Sequence, residues 1–206
     1  MPRILVWTLS IFVAGCGLDT NERPPLPAFF TEHLSKLHEE AISIKDLTLG
    51  APYYDISQLI DENSCGGDIR FKVAIHCDGK RQVRVGGEEF DIFLTFWNGS
   101  SGWGNMDDFY LTNARFETPF GSHVLDTIVE KFGPNYSVSE KTHGEKIDGI
   151  WHPSFKSWEW VFPSGASLEF RVNEPGLPGE DSSIYLSSGL GEEMFSLRKK
   201  LKLEDI

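Results

Sequence analysis

From about Phe29 to Ile42, apolar residues Phe30, Leu34, Leu37 and Ala41 recur at helical spacing with polar residues between them, which predicts an amphipathic helix. Ile44–Leu49 reads as a short strand ended by Gly50. Ala51–Glu62 reads as a second helix, with Pro52 in its first turn and Tyr54, Ile56, Leu59 and Ile60 as core contacts. After Cys65-Gly66-Gly67 the period changes to two. Ile69, Phe71, Val73 and Ile75 share one face of a strand that ends at the Asp78-Gly79 turn, and Val83 and Val85 continue the pattern up to Gly86-Gly87. Phe90, Ile92, Leu94 and Phe96 then alternate with Asp91, Phe93, Thr95 and Trp97; Asn98–Asn105 is a loop and Asp108–Glu117 a further strand.

Thr118–Pro134 has the features of a complete helix. Thr118 can cap it, Pro119 suits the first helical position, and Gly133-Pro134 stops it. Phe120, Val124, Leu125, Ile128, Val129 and Phe132 form one broad face that must pack on a sheet or helix. Ser137–Gly149 is polar and loop-like. Trp158, Trp160 and Phe162, then Leu168, Phe170 and Val172 beyond the Pro163-Ser164-Gly165 turn, alternate with polar or exposed positions and predict a hairpin with one apolar face. Asn173–Asp181 is a loop, Ser183–Ser187 a last strand, and Glu192–Leu203 a closing helix whose Arg198-Lys199-Lys200 suits a helix C-terminus. The order helix, strands, helix, strands predicts an α+β fold: an antiparallel sheet with helices on one face, built as two loose α-β repeats.

The first residues follow a different pattern. Met1-Pro2-Arg3 precedes an apolar run from Ile4 to Ala14, about a dozen residues, which is too short to span ~30 Å of hydrocarbon and suits a signal peptide. It ends in Val13-Ala14-Gly15-Cys16, small residues before a cysteine, and so resembles the lipobox of bacterial lipoproteins. The resemblance implies cleavage before Cys16, a thioether-linked diacylglycerol on that cysteine and usually an amide-linked third acyl chain. Two or more chains give stable anchoring, since each buried methylene adds ~0.8 kcal/mol. Gly17 stands where many Gram-negative lipoproteins retained at the inner membrane carry Asp, so an outer-membrane, periplasm-facing address is expected. The resulting division is a signal peptide over 1–15, a lipidated cysteine and Pro-rich tether over 16–27, and one α+β domain over 28–206. Eleven tether residues after Cys16, extended at ~3.1 Å each, would lift the domain ~30 Å off the membrane.

Charge narrows the partners. The leader carries one charged side chain, Arg3, so the 19 basic residues of the chain fall to 18 against 31 acidic ones, net −13. Nucleic acid and anionic headgroups need a basic surface and are disfavoured; a cationic protein partner is compatible. With Cys16 lipidated, Cys65 and Cys77 remain, an even pair that in an oxidising compartment reads as a disulfide worth ~3 kcal/mol on the chain-entropy reading. A metal site would need more ligands than this pair and His76 supply.

Leu47-Thr48-Leu49-Gly50 leading into a short helix, and a helix ending Glu130-Lys131-Phe132-Gly133-Pro134 before Trp-rich strands, resemble small bacterial envelope lipoproteins. Those have a fold like the β-lactamase inhibitor protein, or like the small lipoprotein subunit of the outer-membrane protein assembly machine. The resemblance implies a domain that binds other proteins and is not an enzyme. Here the short helix runs into Asn63-Ser64-Cys65, where the family ends on Gly-x-Pro, and no binding residue carries over.

The sequence contains no His-Glu-x-x-His, no phosphate-cradling Gly loop, no dinucleotide fingerprint and no Gly-x-Ser-x-Gly. Its six histidines are scattered, and the carboxylate pairs Glu88-Glu89 and Asp107-Asp108 read as solvated turn residues. No catalytic residue, metal or cofactor is therefore assigned. The remaining signal is aromatic. Trp158 and Trp160 read as core, whereas Trp97, opposite the Phe90–Phe96 face, and Trp103, in a Gly-rich loop beside Tyr110, are the candidates for a binding patch. The expectation is a membrane-anchored, non-catalytic module that binds a periplasmic protein, in envelope assembly or in neutralising a toxin or enzyme. The alternative is a lipoprotein that binds or processes glycans, using exposed tryptophans and one carboxylate pair.

Overall fold

A computed structural model describes residues 28–66, 74–98, 106–119, 124–141, 145–147, 150–152, 154–173 and 181–190. The leader, Cys16, the tether, Trp103 and the closing helix expected over Glu192–Leu203 lie outside the described residues, as do Ile69, Phe71, Val73 and Phe120.

The described residues fold into helices and an eight-stranded antiparallel sheet, with sheet predominating. Helix α1 (Ala28–Glu40) buries Phe30, Leu34 and Leu37 as their spacing predicts, but Ala41, expected on the same stripe, lies past the helix end at φ +48° and is exposed. The segment expected as one strand over Ile44–Leu49 is instead a small hairpin, β1 (Ser43–Ile44) against β2 (Leu47–Thr48). It reverses at Lys45, which takes φ +54°. The second helix is shorter than expected. α2 (Tyr53–Ile56) passes into a single 3-10 turn (Ser57–Leu59), because the Ser57 hydroxyl donates to the Tyr54 carbonyl (2.9 Å) and Ile60 leaves to bridge Gly79.

The strands are β3 (Ala74–Asp78), β4 (Val83–Val85), β5 (Glu88–Asn98), β6 (Phe109–Thr118), β7 (Ser137–Lys141), β8 (Glu145–Ile147), β9 (Ile150–His152), β10 (Phe155–Val161), β11 (Ser167–Asn173) and β12 (Ser182–Ser187). The sheet order is β3-β5-β6-β12-β11-β10-β7, with β4 on β5; β8 and β9 pair separately. Two meanders, β3-β5-β6 and β7-β10-β11-β12, are thus joined through their last strands, β6 and β12. Thr118 was expected to cap a helix. It is instead the last residue of β6, buried and paired with Ser182, and the described helix α3 runs Val124–Phe132. Its end is as expected: Gly133 at φ +83° donates its N–H to the Val129 carbonyl (2.8 Å). Ser137–Gly149, expected as loop, supplies edge strand β7 and strand β8. β7 sits at the margin of the sheet with its first four residues exposed, so it shows no apolar alternation for a sequence reading to find.

The period-two reading of the other strands is repeated in the register. One cross-strand row runs Cys77, Leu94, Ala114, Leu186, Leu168, Trp160, each no more than 2% exposed. The neighbouring row, Ile92, Phe116, Ile184, Phe170 and Trp158, continues this apolar face, with Trp158 stacked on Phe170 at 5.6 Å. Three contacts tie helices to these elements. The Tyr53 ring meets Phe96 edge-on at 5.2 Å, the Trp160 indole N–H donates to the Gly133 carbonyl (2.8 Å), and a Cβ on Gly86 would press on Val124 and Thr127. Cys65 and Cys77 form a disulfide, and the adjoining Gly66 N–H donates to the His76 carbonyl (2.8 Å), extending the sheet past β3.

Candidate functional site

The second face of the sheet carries the residues that alternate with this core. Its middle row reads, strand by strand, Asp78, Phe93, Arg115, Tyr185, Glu169, Glu159 and Ser137. Beside it runs Asp91, Glu117, Ser183, Arg171, Ser157 and Ser139 on one flank. On the other flank run His76, Thr95, Asn113, Ser187, Ser167 and Val161. A concavity of about 630 Å³ lies over this surface. It is lined by His76, Asp78, Phe93, Thr95, Asn113, Arg115, Glu159, Glu169, Tyr185 and Ser187, with Ser64 and Gly66 at one side and no residue of a described helix.

The charges here are partly matched. Arg115 pairs with Glu117 (3.2 Å) and lies over the Phe93 ring at 4.6 Å. Arg171 holds Glu169 (2.9 Å) and lies over Phe155 and Tyr185 at 4.6 and 5.8 Å. Planar guanidiniums stacked on rings hold both partners in place. Glu159 is left over: it stands directly opposite Glu169, and no cation among the described residues pairs with it. In these three rows, five carboxylates (Asp78, Asp91, Glu117, Glu159, Glu169) thus stand with Arg115, Arg171 and, at the margin, Lys141. The surface is aromatic, hydrogen-bonding and acidic.

The residues singled out from sequence stand at one end of it. Trp97 is on the face opposite Phe96, as alternation predicts, and Tyr110 is its cross-strand partner. Both are half-buried against the core, and the Phe30 ring of α1 meets Tyr110 at 5.5 Å. Helix α1 therefore covers part of this pair, and the better-presented aromatics are Phe93 and Tyr185. Alternation marks both as opposite the core, but only the strand order, which no single strand reveals, places them together. Three histidines have structural partners. The His33 ring N–H reaches the Ser188 carbonyl (2.6 Å), His38 the Gly50 carbonyl (3.2 Å), and His76 pairs with the Thr95 hydroxyl (2.9 Å). Glu88 and Glu89, expected as turn residues, are instead the first residues of β5, where Glu89 is exposed and ion-paired across the strands with Arg84 (2.8 Å).

No protein family, curated protein or solved structure matches this chain.

Proposed function

We propose that the protein is a lipid-anchored module of the bacterial envelope that binds a protein partner through the open face of its sheet and catalyses no reaction. The observation that carries this reading is the face itself: a broad concavity lined by Phe93, Tyr185 and hydrogen-bonding side chains, with no residue of a described helix in its lining. Exposed sheet faces that combine aromatic and arginine side chains have the composition of interface hot spots. The finer architecture belongs to the same reading. The described helices α2 and α3 cover the apolar face, supported by the Tyr53–Phe96 and Trp160–Gly133 contacts, while α1 reaches over Tyr110, and the two meanders joined at β6 and β12 are two α-β repeats.

The anchor is Cys16, carrying acyl chains after cleavage of Met1–Gly15, and the address is the outer membrane facing the periplasm. Support comes from the lipobox and from Gly17 at the sorting position. No described helix is long and apolar enough to cross a membrane. The role is envelope assembly or neutralisation of a secreted enzyme or toxin.

The glycan reading draws on one observation, the Glu159–Glu169 pair beside Tyr185 in a single cavity. Arg115 and Arg171 lie over the Phe93 and Tyr185 rings, which limits the stacking surface open to a sugar. The test is crosslinked affinity capture of the full-length protein from its native envelope, alongside Tyr185→Ala and Trp103→Ala variants. One stoichiometric protein partner, lost in Tyr185→Ala, is expected. Retention on peptidoglycan with no protein captured would replace this reading with the glycan one.

A further inference from the structure

At one end of the open face, strands β5, β6, β12 and β11 frame a notch of about 280 Å³, whose lining includes Asp91, Glu117, Asp181, Ser182, Ser183 and Asn173. Its chemistry is one-sided. Asp91 and Glu117 are directly opposite each other in the register, an arrangement of like charges that costs stability. Glu117 shares Arg115, but Asp91 receives only the neutral Gln82 side-chain amide (3.0 Å), and neither Asp91 nor Asp181 is ion-paired among the described residues.

A second observation is independent of the charges. Ser183 is 3% exposed and Ser182 1% exposed, and the hydroxyl oxygen of each has no hydrogen-bond partner among the described residues. By alternation Ser183 stands on the open face between Glu117 and Arg171. Buried hydroxyls are ordinarily satisfied, so the unpaired Ser183 hydroxyl on the open face marks a place for a hydrogen bond from outside the chain, whereas Ser182, paired with Thr118 and Val172, belongs to the opposite face.

Carboxylates and hydroxyls together call for a cation that donates hydrogen bonds. Among the described residues no three acidic, histidine or cysteine side chains converge closely enough to hold a metal ion. The cation must therefore be extended, with donors pointing several ways. A guanidinium is planar, permanently charged and carries donors along two edges, whereas an ammonium is a compact point charge. At ~30 Å³ per water the notch corresponds to roughly nine waters, room for the about seven heavy atoms of an arginine side chain.

We propose that the Asp91–Glu117–Ser183 notch is the subsite that receives an arginine side chain presented by the partner. The proposal rests on the protein-binding reading above and specifies the partner's chemistry: a cationic, arginine-bearing segment laid across the open face.

The test uses the isotope-labelled full-length protein in detergent, titrated with acetyl-Gly-Arg-Gly-amide, its lysine and citrulline counterparts, and calcium chloride, and read by amide chemical shifts. The arginine peptide is expected to give saturable shifts at Asp91, Ser182 and Ser183, the lysine peptide to bind at least threefold more weakly, and the citrulline peptide to give none. Asp91→Asn is expected to weaken the arginine peptide at least tenfold. Ser183→Ala is expected to weaken it at least threefold with an unchanged or raised melting temperature, since it removes an unpaired buried hydroxyl. Saturation by calcium alone, equal binding of the citrulline peptide, or undiminished affinity in Asp91→Asn overturns the proposal. If a captured partner binds Asp91→Asn as tightly as wild type, the subsite fails while the protein-binding reading stands. If no partner is captured but the arginine peptide behaves as expected, the subsite stands and the protein-binding reading fails.

Discussion

Glu159 and Glu169 stand directly opposite each other on strands β10 and β11, both on the open face; Arg171 neutralises Glu169, and Glu159 is left without a cation among the described residues. Like charges in cross-strand register cost ~0.2–1 kcal/mol. Glu159→Gln is therefore expected to stabilise the free protein by about that amount, raising its melting temperature by up to about 4 °C for a chain of this size. The gain should shrink in high salt, where exposed charges are screened. Thermal melts at two ionic strengths check both points. A destabilised variant would mean that Glu159 has a partner that the described residues do not supply.

The Trp160 indole joins β10 to the end of α3 through the Gly133 carbonyl, and its ring is 2% exposed. Trp160→Phe keeps most of the apolar area and loses the hydrogen bond, an expected cost of ~1 kcal/mol. Trp160→Ala adds a cavity, for ~3–5 kcal/mol in total. Urea unfolding curves of the two variants should show this ordering.

The Cys65–Cys77 disulfide closes a loop that holds Gly66 against β3. Replacing both cysteines by serine is expected to cost ~3 kcal/mol on the chain-entropy account. Non-reducing mass mapping of the wild type should find the two joined, and reduction should lower its melting temperature toward that of the double variant.

Tyr53 titrates above its ordinary pKa of 10.0, chiefly because burial disfavours the phenolate and secondarily because Glu62 and Tyr54 add negative charge. A raised folded-state value means that the folded protein keeps its proton where the unfolded chain releases one. This contribution is complete below pH 10.0 and is lost as pH rises through the folded value. Tyr53→Phe should unfold less steeply with alkali above pH 10 than wild type. Lys131 acts in the opposite sense. Burial, then Lys45, holds it below 10.5, so its own contribution improves as pH climbs from its folded value toward 10.5. The comparison of Tyr53→Phe with wild type isolates the tyrosine.

Wherever one side chain in two was driven into the core, the sequence was legible. Phe90 to Phe96 and Leu168 to Val172 gave their strands, faces and hairpin turn directly, because burial imposes the period. Polar edge strand β7 was not legible, since it buries too little to leave a pattern, and Thr118 was misread because a capping threonine and a strand-ending threonine look alike before the pairing with Ser182 is known. The candidate site was only partly legible. Alternation places Trp97 on the correct face, but its pairing with Tyr110 and the contact of Phe30 with Tyr110 are tertiary facts. The neighbourhood of Phe93, Arg115, Tyr185, Glu169 and Glu159 is assembled from five strands, and β6 meets β12 across a long stretch of sequence that no local pattern bridges.

Site-specific photocrosslinking in the native envelope tests the central claim most directly, with the crosslinker placed at Thr95 on the open face and, separately, at Lys36 on the outer side of α1. The open-face account predicts one discrete protein adduct from position 95 and none from position 36. An adduct from position 36 alone, or glycan in place of protein at position 95, would contradict it.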